Sequence, residues 1–213
     1  MTNPAARLSR RSVAGAMAAA LVGCAQLLGV SAPGKLYRLT PKSTYPPGLP
    51  HHPRELLVDV PVGTAGLDTT RIALSRSAVS IDYFADSEWT NPVPLLVQTA
   101  LLESFENSRT LAAIDRESSG LNAEFILRTE IRHFEAVYDS PDRPPDVWVA
   151  IYARLVDSTE RRIAAQASFE KHTAAAANDV PSIVLAFDEA LGGAMRDIVV
   201  WTVTIPALST KRR

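Results

Sequence analysis

Strict period-two alternation confines the C-terminal half of this 213-residue chain to sheet. From Ala123 onward, Ala123, Phe125, Leu127, Thr129 and Ile131 share one face, while Glu124, Arg128, Glu130 and Arg132 fall mostly on the other. Successive side chains of a strand point to opposite sides, so this segment predicts an antiparallel strand with one solvated face. Residues 147–156 and 162–169 alternate in the same way and are joined around Asp157 to Glu160, which predicts a hairpin. Upstream, residues 55–60 form a short apolar run that stops at Pro61, and residues 71–76 and 79–83 suggest a second hairpin turning at Ser77 and Ala78. Residues 61–70 hold two glycines and read as a loop, and residues 111–114 as one further short strand.

Two helices complete the pattern. Pro92 and Pro94 open one that runs to about Glu106, with Val97, Leu101 and Phe105 at i, i+4 and i+8, widened by Leu95 and Leu102. Asp179 and Pro181 open the last, whose stripe is Ile183, Phe187, Leu191, Met195 and Ile198. Gly192-Gly193 inside it costs about 1–2 kcal/mol relative to alanine, which predicts either a kink or close packing on the sheet. The expected fold is α+β (mixed α/β): a largely antiparallel sheet with two main helices packed on it, in a single domain. A 46% hydrophobic, 21% charged composition is that of a globular body. A core of about 150 residues buries roughly 70% of its extended-chain surface without needing disulfides or metals.

Charge is distributed unevenly. Residues 1–54 carry seven Lys/Arg and no acid, whereas residues 55–213 carry 15 Lys/Arg against all 23 acids, a balance of −8. An acidic body and a pI near 6.4 exclude nucleic acid as the main partner. At the N-terminus, Arg7, Arg10 and Arg11 precede an apolar stretch from Val13 to Val22, the layout of a secretory signal peptide over residues 1–23. Arg10-Arg11 also resembles a twin-arginine signal, so both export routes stay open. A retained membrane helix over residues 13–30 is the competing reading, weakened by its alanine and glycine content.

Cys24, the only cysteine, excludes an intramolecular disulfide. Leu21-Val22-Gly23-Cys24 resembles a bacterial lipobox, which implies diacylglycerol on the Cys24 sulfur; the bland alternative is a small buried hydrophobe. Acyl chains at about 0.8 kcal/mol per buried CH₂ hold a protein on a membrane durably. Ala25, rather than Asp, after that cysteine implies sorting to the periplasmic face of the outer membrane. Residues 24–53 then read as a proline-rich tether containing one short edge strand at Leu36 to Leu39, residues 54–206 as the folded domain, and residues 207–213 as a basic tail ending Lys211-Arg212-Arg213.

The inventory of chemistry-bearing motifs is thin: no nucleophile elbow, phosphate-cradling loop or His-Glu-x-x-His occurs, and no catalytic residue, metal site or cofactor is assigned. His51-His52 reads as loop filler rather than a metal pair, and Asp139, Asp142 and Asp146 as a solvated proline-rich turn rather than a calcium loop. An envelope hydrolase, the enzyme alternative, needs a nucleophile and base brought together from distant positions, such as Ser104 or Ser168 with His133, and nothing in the spacing favours that. Tyr83 and Trp89, an aromatic pair just before a helix, are candidates for lining a partner groove, with core packing the stronger reading for Trp89.

Taken in order, Tyr37-Arg38-Leu39, residues 56–60, Asp68 and Arg71, then Tyr83, Trp89 and Pro92, and finally Trp201 resemble the ABC-type transport auxiliary lipoprotein family. The similarity runs from Leu36 to Val203, and it is carried by order and spacing, since each motif alone is degenerate. The resemblance implies a non-enzymatic lipoprotein that accompanies an MCE-type system, in which an inner-membrane ABC permease and ATPase work with MCE-domain periplasmic proteins to move lipids across the envelope. It leaves a homo-oligomer open. A purely structural envelope scaffold is the remaining non-enzymatic alternative.

Overall fold

The computed structural model describes residues 34–209, and from Lys35 onward the chain forms one compact unit. The expected signal segment, Cys24 and the Lys211-Arg212-Arg213 tail lie outside the described residues. Nine strands make one mixed sheet. They are β1 (Lys35–Tyr37), β2 (His52–Val58), β3 (Val62–Gly63), β4 (Arg71–Ser77), β5 (Ser80–Trp89), β6 (Leu111–Arg116), β7 (Phe125–Val137), β8 (Asp146–Asp157) and β9 (Arg162–Ala174). Helix α1 (Val93–Ser108) connects β5 to β6, α2 (Val180–Thr204) follows β9, and a single turn, α3 (Pro206–Ser209), ends the described chain.

The long alternating strand β7 is the spine. Along one edge it pairs antiparallel with β8 from Phe125 opposite Asp157 to Val137 opposite Asp146, and β8 pairs antiparallel with β9. Its other edge is shared end to end by three shorter strands, β2 at Leu56 to Val58, β3 at Val62 to Gly63 and β4 at Leu74 to Ser75, all running parallel to it. β6 lies parallel outside β2; β5 lies antiparallel outside β4, with β1 parallel beyond it. Antiparallel ladders are therefore the longest, as expected, but parallel pairings are present as well. The alternation of a half-buried strand is the same in either sense, so it carried no information on direction.

Both long helices cover one face. α2 packs on β8 and β9, and α1 packs on β6, β2 and α2. Trp89, Phe134 and Phe187 meet at the centre of this layer with ring centroids 5.0–6.0 Å apart, in edge-on and tilted arrangements. The α1 stripe runs through Val93, Val97, Leu101 and Phe105 and widens on the Leu96 and Leu102 sides, while Leu95 faces solvent, contrary to expectation. Leu95 shares its angular position, within about 20°, with the buried Leu102 seven residues on, so its exposure follows from its place in the first turn of α1 and not from the helix period. α1 ends at Arg109 in the left-handed region (φ 54°) and α2 starts at Asp179, whose Oδ1 accepts from the Ser182 N–H at 2.8 Å.

Residues 38–51 run extended across α1 and α2 as a docked strap. The Thr40 N–H and hydroxyl donate to Asp188, the Lys42 N–H donates to Ser104 Oγ, and the Tyr45 hydroxyl donates to the Ser104 carbonyl at 2.6 Å. Burial pushes the Tyr45 phenol up to about 12, with the Ser104 contact opposing the shift.

Candidate functional site

Opposite the helices, the sheet leaves a face of polar and aromatic side chains, and one irregularity shapes it. Between Ile131 and His133 the β7–β8 register slips, so Arg132 is an extra residue in β7. Strict alternation sets His133 inward and Phe134 outward. The bulge inverts this, placing Phe134 fully in the core and His133 on the open face.

There His133 stacks on Trp148 of β8 with ring centroids 3.3 Å apart and planes 8° from parallel. From β9, His172 stacks on the same indole at 5.4 Å and 24°. Each histidine has its own carboxylate: His133 Nδ1 lies 2.8 Å from Glu135, and His172 Nδ1 lies 2.6 Å from Asp146, with Glu170 3.3 Å from its Nε2. The Asp146 hydrogen bond, supported by Glu170 and opposed by partial burial, holds the His172 imidazolium to higher pH than an ordinary histidine. Further along the face, Arg132 and Arg154 lie 4.3 and 4.5 Å from the centre of the Tyr152 ring, and Glu130 pairs with both arginines.

Because β4 runs beside the end of β7, the β4–β5 hairpin stands next to the stack. The space between them is a groove of about 550 Å³, lined by Ser75, Arg76, Ser80, His133, Glu135, Tyr138, Asp139 and Trp148. Guanidinium, carboxylate, hydroxyl and ring edges are all presented there, a set suited to recognition by hydrogen bonds and ion pairs. Among the described residues, the side-chain partners of His133 and His172 are carboxylates rather than hydroxyls.

The residues singled out in the sequence are dispersed. Tyr83 is half-buried on β5; its hydroxyl donates to the Gly66 carbonyl at 3.0 Å, and the Arg71 guanidinium covers its ring at 3.8 Å. Trp89, 1% exposed, lies in the core at the far end of the same strand. His51 and His52 turn to separate backbone carbonyls, those of Arg109 and Val203. Ser104 is buried in α1, on the helix side of the sheet from His133, and Ser168 lies two strands away at the register of Glu130. Asp139 lines the groove and Asp146 holds His172. Trp148 and His172 drew no attention as a pair in the sequence, where 24 residues separate them and only the β8–β9 register makes them opposite.

The family described as ABC-type transport auxiliary lipoprotein component matches residues 37–199. The chain belongs to that family. This auxiliary lipoprotein component is 29% identical over 190 residues to an uncharacterised protein of Bradyrhizobium diazoefficiens, which covers 86% of this chain but 49% of that protein. The chain thus spans about half the length of this curated relative. A crystal structure of a Xanthomonas campestris protein superposes with a TM-score of 0.76 at 23% identity, covering 82% of this chain and 98% of the other. A second crystal structure, of an uncharacterised protein, gives 0.62 at 13% identity, with 80% and 99% covered. These two likenesses show a shared fold.

Proposed function

We propose that this auxiliary lipoprotein serves an MCE-type ABC transport system that moves lipids across the envelope. In this reading acyl chains on Cys24 hold it at the periplasmic face of the outer membrane, and its acidic body docks the MCE-domain protein that works with the inner-membrane permease and ATPase. The family match over residues 37–199 carries the reading. The lipobox-like Leu21 to Cys24 run and the −8 balance of residues 55–213 support it. The docking surface includes Tyr83, whose ring and overlying Arg71 join an aromatic and a cation beside the exposed Ile81, while Trp89 braces β5 from the core.

Two measurements test this. Mass spectrometry of the mature protein is expected to show a chain beginning at a lipid-modified Cys24, and an unmodified thiol there overturns the anchor. Co-purification of the cognate MCE-domain protein in mild detergent is expected with wild type and with Tyr83→Phe, and to fall about thirtyfold, equivalent to ~2 kcal/mol, with Tyr83→Ala. A folded Tyr83→Ala that binds like wild type removes Tyr83 from the contact. Failure of the wild type to capture any MCE-domain protein defeats the docking reading.

A further inference from the structure

Strand β9 is 13 residues long and pairs with β8 alone; among the described residues no other strand meets its second edge. Every second residue of a strand turns its N–H and C=O to a given edge, so about six donors and six acceptors lie in line there. Long edges are usually blunted by proline, brevity, a bulge, charged side chains or a covering element, because they template further strands; in β9 the Lys171 charge is taken up by Asp197. β9 contains no proline, and its one register slip lies near its start, between the partners of Leu155 and Val156.

The residues of β9 select what fills this edge. Laid antiparallel on itself about Ser168, the regular part of the strand beyond its slip sets Ala165 opposite Lys171, Ala167 opposite Phe169 and Gln166 opposite Glu170. The longest side chains face short ones, no two like charges oppose each other, and the Gln166 amide meets the Glu170 carboxylate twice by symmetry. We infer that β9 pairs with β9 of a second copy about a two-fold axis at Ser168, joining the two sheets into one. An axis perpendicular to the sheet keeps the helix-covered faces on the same side. It also brings Phe169, packed edge-on against Trp201 at 5.5 Å, over Ala167 of the second copy. The pairing is independent of the anchor and of the docking reading above.

The test uses the full chain in detergent. Sedimentation equilibrium is expected to show a reversible dimer. Ser168→Cys is expected to give a disulfide-linked dimer on mild oxidation, because a residue opposite its own copy lies within bridging distance. Wild type, which has only Cys24, and Ser119→Cys on the distant exposed turn are expected to give none. Gln166 is exposed, so its charge variants keep the fold. Gln166→Glu, which opposes Glu170 twice, is expected to weaken the dimer about tenfold, and Gln166→Lys to leave it as tight or tighter. A monomer at every concentration, which leaves the edge to a strand of some other protein, overturns the inference. So does a dimer that neither Gln166 charge alters and that Ser168→Cys fails to link.

Discussion

Gly193 of α2 lies directly against Lys171 of β9: a Cβ on the glycine would meet the lysine stem at 3.4–3.5 Å. The stem passes over that gap and ends on Asp197, one helical turn further, at 2.5 Å. Burial raises the Asp197 carboxyl, but Lys171 and Arg196 outweigh it and hold it below the usual carboxylate range. The neighbouring Gly192 faces the Lys42 stem at 3.9 Å. Of the two options the glycine pair left open, a kink or close packing, the structure thus shows a lysine stem from the strap and another from the sheet approaching an unbroken helix.

Gly193→Ala is expected to stabilise the protein. The added methyl sits at the tight end of ordinary contact with a flexible stem, and alanine gains about 1 kcal/mol of helix propensity. Thermal unfolding is expected to shift up by about 2–4 °C. Gly193→Leu pushes the stem off Asp197 and is expected to lower stability by about 1–3 kcal/mol. A Gly193→Ala protein that melts below wild type contradicts the packing described.

His172 supplies a pH test. Its folded value lies above the ordinary 6.5, chiefly through Asp146. The stability it contributes is therefore fully present below 6.5 and is lost as pH rises through the folded value. Asp146→Asn is expected to move the His172 titration, followed by proton NMR, down toward the ordinary value. The stability gap between wild type and this variant is expected to be widest on the acidic side of that window and to shrink above it. An unchanged His172 midpoint removes Asp146 as the cause.

Asp179→Ala deletes the side-chain acceptor for the Ser182 N–H at the start of α2. The expected loss is about 1 kcal/mol, read from denaturant unfolding as a lower midpoint at unchanged slope. Asp179→Ser keeps an acceptor and is expected to recover most of it.

Where a signal in the chain is local, it described the structure well. The alternation from Ala123 to Phe169 places Phe125, Leu127, Thr129 and Ile131 in the core, and the turn after Asp157 closes the expected hairpin, its carboxylate accepting from the Thr159 and Glu160 N–H groups. The strand expected over residues 55–60 forms as β2 but starts earlier, at His52, because a register slip between His52 and Glu55 accommodates Pro53. β5 extends past Tyr83 to Trp89 with an irregular register and Asp86 at positive φ, a distortion that no residue pattern announced.

Composition and two periodicities were enough to determine a mixed helix-and-sheet body, the starts of both helices and most of the buried stripe of each, because side-chain period and capping are properties of neighbours in the chain. Tertiary structure alone decided that β2, β3 and β4 share one edge of β7 in parallel, since that choice depends on where α1 returns the chain and not on any strand's own residues. It also decided the site. A single extra residue at Arg132 moves His133 to the open face, and the β8–β9 register sets His172 against Trp148. The stack exists because three successive strands are held about 4.8 Å apart in a register that a bulge and two turns set, and neither is written in the alternation of any one strand.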